Sequence, residues 1–107
     1  MTNVFVYGTL MDRSVVEFLL GKSKITYSDT LSGYKKLGLN IVEDEQGVVN
    51  GVYFEVNDQE LAKLDAYEGL DIQLYKRFQV ELDSGEKAWV YQKVDKDRMV
   101  SAFGQTG

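Results

Sequence analysis

The chain has 107 residues, a net charge of −5, and 44% hydrophobic and 27% charged residues, a composition typical of one soluble globular domain. It contains no cysteine and no histidine, which excludes disulfides, thiolate metal sites and both serine–histidine and cysteine–histidine hydrolysis. Acid–base chemistry near neutral pH must therefore come from a carboxylate, a lysine or a tyrosine. The acidic balance argues against a nucleic-acid partner, because binding phosphates requires a positive surface.

The composition also bears on where the protein resides. No apolar run approaches the roughly 20 residues that span a bilayer, and the first three residues lack the basic and apolar regions of a secretory signal. We therefore expect a cytoplasmic protein with no membrane partner and a single domain over residues 1–107. The tail from about residue 95 is polar and ends in glycine, and we expect it to fray. The sequence does not predict the oligomeric state.

The first elements are a strand and a helix. Residues 4–7 form a short apolar run of β-favouring residues, which predicts a buried strand near the middle of a sheet. A helix is expected immediately after a tight loop, because Asp12 is a good N-cap and apolar residues follow at helical spacing. Gly21 stands where a left-handed C-terminal cap would end that helix.

The middle of the chain is less regular. Glycines divide residues 24–42, which predicts short irregular strands, and the polar run 43–47 is typical of a turn. Residues 48–56 predict a second strong strand, in which Gly51 marks a bulge or a close backbone approach. We expect the four lysines nearby to be solvated on a strand-rich face: Lys22, Lys24, Lys35 and Lys36.

A second helix and a hairpin complete the predicted fold. Asn57 and Glu60 have capping-box spacing, and Gly69 ends the helix that they begin. Residues 75–82 and 88–91 alternate in polarity around a polar, glycine-containing turn, which predicts a β-hairpin. The fold class is therefore α+β, with a mostly antiparallel sheet that curls toward a barrel.

One candidate site is the loop after the first strand, formed by Tyr7, Gly8, Thr9 and Leu10. A strand that ends in glycine and leads into a helix exposes backbone N–H groups, which can hold a carboxylate or a phosphate. Gly8 lets a ligand approach closely because it has no Cβ. A plain turn between a strand and a helix gives the same pattern, so the loop alone does not decide for a ligand.

A second candidate is Glu68, in the last turn of the second helix. The negative end of the helix dipole and partial burial both disfavour its ionised form, so its pKa should rise toward the range useful for a general base. Tyr67 or Tyr75 could fix the carboxylate by a hydrogen bond. A solvent-facing glutamate without a function gives the same pattern.

Two further positions have open alternatives. Arg77 could clamp a substrate carboxylate, or it could pair with one of the acidic side chains. Trp89 and Tyr91 are expected as core or barrel-wall aromatics rather than as a platform for ligand stacking. The acidic run at residues 43–45 lacks the alternating ligand spacing of a calcium loop, so no metal site is predicted.

Taken in order, these segments resemble the γ-glutamylcyclotransferase-like family, and most closely its short branch of γ-glutamylamine cyclotransferase and AIG2-like proteins. The match runs from residue 4 to about residue 92, and its ordered set of segments is more specific than any one of them. The matching segments are residues 4–10, 51–56, 64–69, 75–77 and 88–91.

The resemblance implies a compact, mixed, mostly antiparallel β-barrel flanked by helices. It implies that Glu68 is the catalytic acid and base of a reaction that turns a small γ-glutamyl amine or γ-glutamyl amino acid into 5-oxoproline and a free amine. No cofactor or metal is required. By similarity, the substrate-binding residues are Tyr7, Gly8, Thr9, Leu10, Tyr75 and Arg77.

Two other functions stay open from the sequence. The chain could be a catalytically silent ligand-binding or interaction domain that retains the barrel and its pocket. It could also be an enzyme of the same fold that acts on another amide. The loop segment after Leu10 departs from the basic, glycine-containing stretch expected of the family, which leaves the substrate open.

Overall fold

The computed structural model describes residues 1–94, so the predicted tail from about residue 95 lies outside the described residues. The described part of the chain also contains two short 3-10 turns, Thr9–Met11 and Leu70–Ile72. Its strands and α-helices follow one another as β1 (Thr2–Val6), α1 (Arg13–Leu20), β2 (Tyr27–Leu37), β3 (Asn40–Val56), α2 (Asp58–Glu68), β4 (Tyr75–Glu81) and β5 (Lys87–Lys93).

The five strands form one sheet in the order β2-β3-β1-β5-β4. β1 pairs antiparallel with β3 and parallel with β5, while β2–β3 and β4–β5 are antiparallel hairpins. Only one of the four pairings is parallel, and the sheet curls into a half-barrel with the two helices packed beside it. The predicted α+β class with a mostly antiparallel sheet is confirmed.

The central strand β1 contributes to both hydrophobic cores. Val4 and Val6 point to the side where the helices pack, together with Leu64 of α2. Phe5 and Tyr7 point to the opposite side, into the concave face of the sheet. Because a strand alternates its side chains, a strand buried on both faces is an unbroken apolar run, as the sequence predicted.

Hydrogen bonds join the two edges of the sheet and hold its curl. Asp83, which follows β4, donates its N–H to the carbonyl of Thr30 in β2 at 2.9 Å. Ser32 donates its hydroxyl to the Asp83 carboxylate at 2.9 Å, and Ser84 donates to the Asp29 carboxylate nearby. Strands at opposite ends of the sheet order therefore meet, which leaves less exposed edge for pairing with another chain.

Both helices begin and end at the predicted residues. The Asp12 side chain accepts the N–H of Ser14, and Gly21 ends α1 with a φ of 74°. Asn57 and Glu60 form the complete capping box of α2, and Gly69 ends that helix in the left-handed region. Among residues 1–94, no helix is long and apolar enough to cross a membrane.

The prediction for residues 24–47 is wrong in two respects. β2 is one continuous strand of 11 residues, and Gly33 accommodates a register shift within it rather than ending it. The turn of this hairpin lies at residues 38–39, where Gly38 has a φ of 60°. Residues 43–47 lie within β3, although residues 44–47 have no partner in the register with β2. A polar run resembles a turn because both are exposed, but the paired residues 43 and 48 on either side of 44–47 keep this segment within the strand.

Gly51 is a site of close backbone approach, as predicted, while its register with Asp29 is regular. A Cβ added at this position would lie 2.4 Å from the carbonyl oxygen of Val6 and 2.7 Å from Cζ of Phe5. Real Cβ atoms do not approach backbone this closely, so β1 and β3 can pack here only because the residue is glycine.

Lys24, which was predicted to be solvated, is instead largely buried in an ion pair with Glu60, whereas Lys22 also pairs with Glu60 but stays 59% exposed. Lys24 Nζ lies 2.8 Å from Glu60 Oε2, and these two side chains are only 11% and 6% exposed. Burial by itself would raise the pKa of Glu60. The pKa is nevertheless lowered, because the carboxylate accepts hydrogen bonds from Lys24 and the Asn57 N–H and is attracted by the charges of Lys24 and Lys22. The pairing therefore ties the segment before β2 to the first turn of α2.

Substituting Gly51 with alanine should destabilise the fold by about 1–3 kcal/mol, because β1 must move away from β3 to make room. Urea denaturation of Gly51→Ala measures this loss. Gly8→Ala is the matched control, since a Cβ at Gly8 meets nothing within 4 Å. Equal stability of the Gly51→Ala variant and the wild type would show that the strands do not pack this tightly.

Replacing Lys24 with alanine should cost about 2–3 kcal/mol, because it leaves the buried Glu60 carboxylate without its nearest cation. Lys22→Ala is the control: its Nζ is 3.5 Å from Glu60 and its side chain is 59% exposed, so its loss should cost under about 1 kcal/mol. Chemical denaturation at neutral pH measures both. Equal losses would contradict a dominant Lys24 pair.

Candidate active site

A cavity opens at the end of β1, where the strand passes into the first 3-10 turn. Its volume is about 50 Å³, which is smaller than most small-molecule sites, so a ligand that binds there also extends into the open mouth. The floor is apolar and buried, and the polar groups stand around it. The lining residues are Phe5, Val6, Tyr7, Gly8, Thr9, Leu10, Leu39, Glu68, Tyr75 and Tyr91.

The loop of residues 7–10 forms one side of this cavity. Its 3-10 turn is closed by the N–H of Met11, which donates to the carbonyl of Gly8 at 3.0 Å. The first N–H groups of such a turn have no partner within it, so those of Thr9 and Leu10 are available donors at the wall. The space beside Gly8 is open for 4 Å, and a ligand can approach the backbone there.

The loop leads into α1 through the 3-10 turn Thr9–Met11 rather than directly, and α1 begins at Arg13, after its predicted N-cap Asp12. The first N–H groups of α1 are served by its own N-cap, because Asp12 accepts from both the N–H and the hydroxyl of Ser14. Any anion at the loop would therefore be held by the turn's own N–H groups and not by the end of α1.

Glu68 lines the same cavity as the loop. It is the last residue of α2, and Gly69 turns the chain away immediately after it. Burial raises the pKa of the Glu68 carboxyl, which is the direction predicted from the sequence. A carboxylate whose pKa is raised toward neutrality holds and releases a proton more readily at physiological pH.

Three tyrosines surround this carboxylate. Burial raises the pKa of Tyr7, Tyr75 and Tyr91, and in each case the nearby charge of Glu68 raises it further. All three phenols are therefore neutral at physiological pH and remain hydrogen-bond donors. Tyr75 donates to the Leu39 carbonyl at 2.8 Å, and Tyr67 lies at the rim with its hydroxyl 3.4 Å from that of Thr9.

A hydrogen-bonded chain behind the cavity fixes its back wall. The Tyr7 hydroxyl donates to the main-chain carbonyl of Tyr91 at 2.5 Å. The Tyr91 hydroxyl donates to Asp65 Oδ1 at 2.8 Å, and Nε of Arg77 donates to the same oxygen at 2.8 Å. Because the charged pair Asp65–Arg77 holds the Tyr91 side chain, it also holds the carbonyl on which Tyr7 depends.

The structure brings most of the predicted site residues together, but not all of them. The loop residues, Glu68 and Tyr75 line one cavity, while Arg77 does not. Its guanidinium pairs with Asp65 and stacks over Trp89, 4.3 Å from the ring centroid. Of the alternatives that the sequence left open for Arg77, the structure shows the acidic partner.

Two lining residues had no sequence signal that pointed to the site. Tyr91 was expected as a core or barrel-wall aromatic, and it is both buried and part of the cavity wall. Leu39 comes from the turn of the long hairpin, far from the loop in sequence, and reaches the cavity only because the sheet curls. In the part of the chain that the structure describes, no cluster of three acidic, histidine or cysteine side chains is arranged to hold a metal ion.

This fold and site define a class of protein: a small α+β domain in which one carboxylate and a glycine-containing loop line the same cavity. The family model for gamma-glutamyl cyclotransferase, AIG2-like proteins matches residues 4–103. The chain belongs to this family.

Curated relatives from Arabidopsis thaliana agree with the family model. Protein AIG2 C is 37% identical over 89% of this chain and 63% of its own length. AIG2-like protein A is 36% identical over 79% of this chain and 56% of its own length. AIG2-like protein D is 33% identical over 89% of this chain and 70% of its own length. The chain therefore spans 56–63% of the length of the first two.

Solved structures show the same fold. A solution structure of an Arabidopsis thaliana protein has a TM-score of 0.73 at 35% identity and covers 90% of this chain and 64% of the other. A structure of a gamma-glutamyl cyclotransferase has a TM-score of 0.75 at 18% identity and covers 88% of this chain and 67% of the other. The second likeness supports the fold alone.

Glu68→Gln should stabilise the protein at neutral pH, because glutamine resembles the protonated carboxyl that the folded state favours. Burial raises the Glu68 pKa above its ordinary value of 4.5, so its ionisation lowers the free energy of unfolding as the pH rises through the folded-state pKa. The gain in the variant should be largest above that pKa and vanish below about pH 4.5. Urea denaturation of both proteins at several pH values measures it; a gain that does not change with pH would contradict burial of this carboxyl.

Proposed function

We propose that the chain is a cyclotransferase that converts a small γ-glutamyl amine or γ-glutamyl amino acid into 5-oxoproline and a free amine. The observation that carries this proposal is that Glu68, with its raised pKa, lines the same cavity as the loop of residues 7–10. Membership of the gamma-glutamyl cyclotransferase, AIG2-like family supports the same reaction.

The reaction suits a chain without cysteine or histidine, because the substrate supplies its own nucleophile. The α-amine of the glutamyl group attacks the δ-carbonyl carbon, a C–N bond forms to close the five-membered ring, and the C–N bond to the leaving amine breaks. Two protons pass from the α-nitrogen to the departing nitrogen. Glu68 carries these protons one at a time: it accepts each of them from the α-nitrogen and, once protonated, donates it to the leaving nitrogen.

Binding and orientation come from the loop that lines the cavity together with Glu68. The N–H groups of Thr9 and Leu10 hold the α-carboxylate or the developing oxyanion, and the missing Cβ of Gly8 admits the substrate to the backbone. Holding the amine and the carbonyl about 3 Å apart supplies much of the remaining acceleration. No cofactor or metal takes part in this sequence of steps.

Arg77 does not line the cavity, so we assign it no contact with the substrate. Its role in the reaction is to position other residues. Its pairing with Asp65 orients Tyr91, and the Tyr91 carbonyl orients Tyr7 at the edge of the loop. Tyr75 contacts the cavity directly and remains a substrate-binding candidate.

Release of 5-oxoproline from a panel of γ-glutamyl amines and γ-glutamyl amino acids tests the proposal. Wild-type protein should cyclise at least one of them, and Glu68→Gln should lower kcat by about 10²–10⁴-fold, because glutamine cannot accept the proton. Glu45→Gln is the matched control, since Glu45 is exposed on β3 and its activity should equal that of the wild type.

Two outcomes would count against this assignment. Retained activity in Glu68→Gln would remove Glu68 from the proton transfer. A wild-type protein that binds γ-glutamyl compounds without turnover would favour the silent ligand-binding domain of the same fold.

A further inference from the structure

Asp65 is part of the same helix turn as Glu68, although it does not itself line the cavity. It lies three residues before Glu68, and residues at this spacing are neighbours on one side of a helix. Gly69, which ends α2 directly after Glu68, donates its N–H to the carbonyls of Asp65 and Ala66. Asp65 is therefore bonded to the stretch of backbone that carries the candidate base.

The Asp65 carboxylate connects this last turn of α2 to two strands of the sheet. Its Oδ1 accepts the hydroxyl of Tyr91 in β5 and Nε of Arg77 in β4, each at 2.8 Å. The Arg77 guanidinium lies over the Trp89 ring, which restricts its position. The Asp65 and Arg77 side chains are 20% and 25% exposed, so the pair is largely shielded from water and stronger than a surface pair.

Tyr91 is bonded both to this helix turn and to the loop of residues 7–10. Its main-chain carbonyl accepts the hydroxyl of Tyr7 at the start of the loop, and its own hydroxyl donates to Asp65. One residue of β5 is therefore the common attachment point of the loop and of the turn that carries Glu68. On the helix side, the attachment is made by Asp65.

The other side-chain anchors of α2 lie before its last turn. Its first turn is held by the capping box, and two buried leucines hold its middle. Residues 66–67, between Asp65 and Glu68, are exposed. Loss of the Asp65 side chain would therefore loosen the end of the helix while its first turn and its middle stay anchored.

We propose that Asp65 is a positioning residue: by bonding to Tyr91 and Arg77, it holds the last turn of α2 so that the Glu68 carboxylate can exchange protons with a substrate bound at the loop. The inference rests on the proposed function, and it gives Asp65 no contact with the substrate and no proton to transfer. Proton transfer requires donor and acceptor within hydrogen-bond reach. A small displacement of Glu68 therefore slows the chemical step more than it weakens binding.

Asp65→Ala and Asp65→Asn separate position from charge. Both variants remove the same charge, but asparagine keeps an oxygen for the two donors, because Tyr91 and Arg77 share Oδ1. On a γ-glutamyl compound that the wild type cyclises, kcat should fall about 10- to 100-fold in Asp65→Ala and less than about tenfold in Asp65→Asn. KM should stay within about twofold of the wild-type value, because the loop is unchanged.

The matched control is Asp71→Asn. Asp71 lies three residues after Glu68, as Asp65 lies three before it, but it is exposed. Its kcat and KM should equal those of the wild type at equal amounts of folded protein. Asp65→Asn conserves the shape of the side chain, so it keeps the test decisive if Asp65→Ala does not fold. Its kcat should then still lie below the values for the wild type and for Asp71→Asn.

Carbon-13 NMR of the Glu68 carboxyl measures its placement without any turnover. The resonance is assigned by its absence from the spectrum of Glu68→Gln, and its titration gives the Glu68 pKa, which burial holds above the ordinary 4.5. Once the last turn is loosened, the carboxyl gains water and its pKa should fall toward the ordinary value. The fall should be largest in Asp65→Ala, smaller in Asp65→Asn and absent in Asp71→Asn.

The inference is overturned if kcat in Asp65→Ala equals that of the wild type, or if only KM changes. Equal effects of Asp65→Ala and Asp65→Asn on kcat or on the Glu68 pKa would show a charge effect and overturn it as well. If the wild type cyclises no γ-glutamyl compound, the proposed function fails and the titration alone decides. A graded fall of the pKa then supports the placement of Glu68 by Asp65, and equal or unchanged pKa values overturn it.

Discussion

The burial of β1 on both of its faces is the constraint on which the rest of this structure depends. Its residues alternate between the core under the helices and the core inside the curled sheet, so the strand can lie only in the middle of the sheet. It pairs with β3 on one side and β5 on the other. The glycine at position 51 lets β3 approach it closely, and both hairpins are built outward from this centre.

The position of the candidate site follows from the same constraint. Where β1 ends, the chain leaves the middle of the sheet between two cores, and the loop of residues 7–10 opens a cavity with a buried apolar floor. A carboxylate on such a wall is partly removed from water, which raises its pKa. The protein tolerates this cost at Glu68, whereas it offsets burial at Glu60 with two lysines and a capping box. The pKa values of these two glutamates therefore shift in opposite directions, because only Glu60 has cationic partners.

Much of the fold could be predicted from local sequence, and the reasons differ between elements. Asp12 and Gly21, or Asn57 and Gly69, bound their helices because a capping side chain and a left-handed glycine are local requirements of a helix end. The hairpin β4–β5 was predictable because its turn and its alternation are adjacent in sequence. The hairpin β2–β3 was mispredicted, because residues 44–47 have no partner of their own and stay in the strand through the paired residues 43 and 48 on either side of them.

The sequence by itself determined the central strand, both helices with their caps, the later hairpin, and the loop and glutamate whose ordered motifs resemble the family. Only the tertiary structure decided that this loop and Glu68 share a cavity, that Leu39 also lines it, and that Arg77 pairs with Asp65 behind it. The reason is physical. Caps, alternation and apolar runs act between neighbours in the chain, whereas the cavity forms between residues about 30 to 85 positions apart, which only the curling of the sheet brings together.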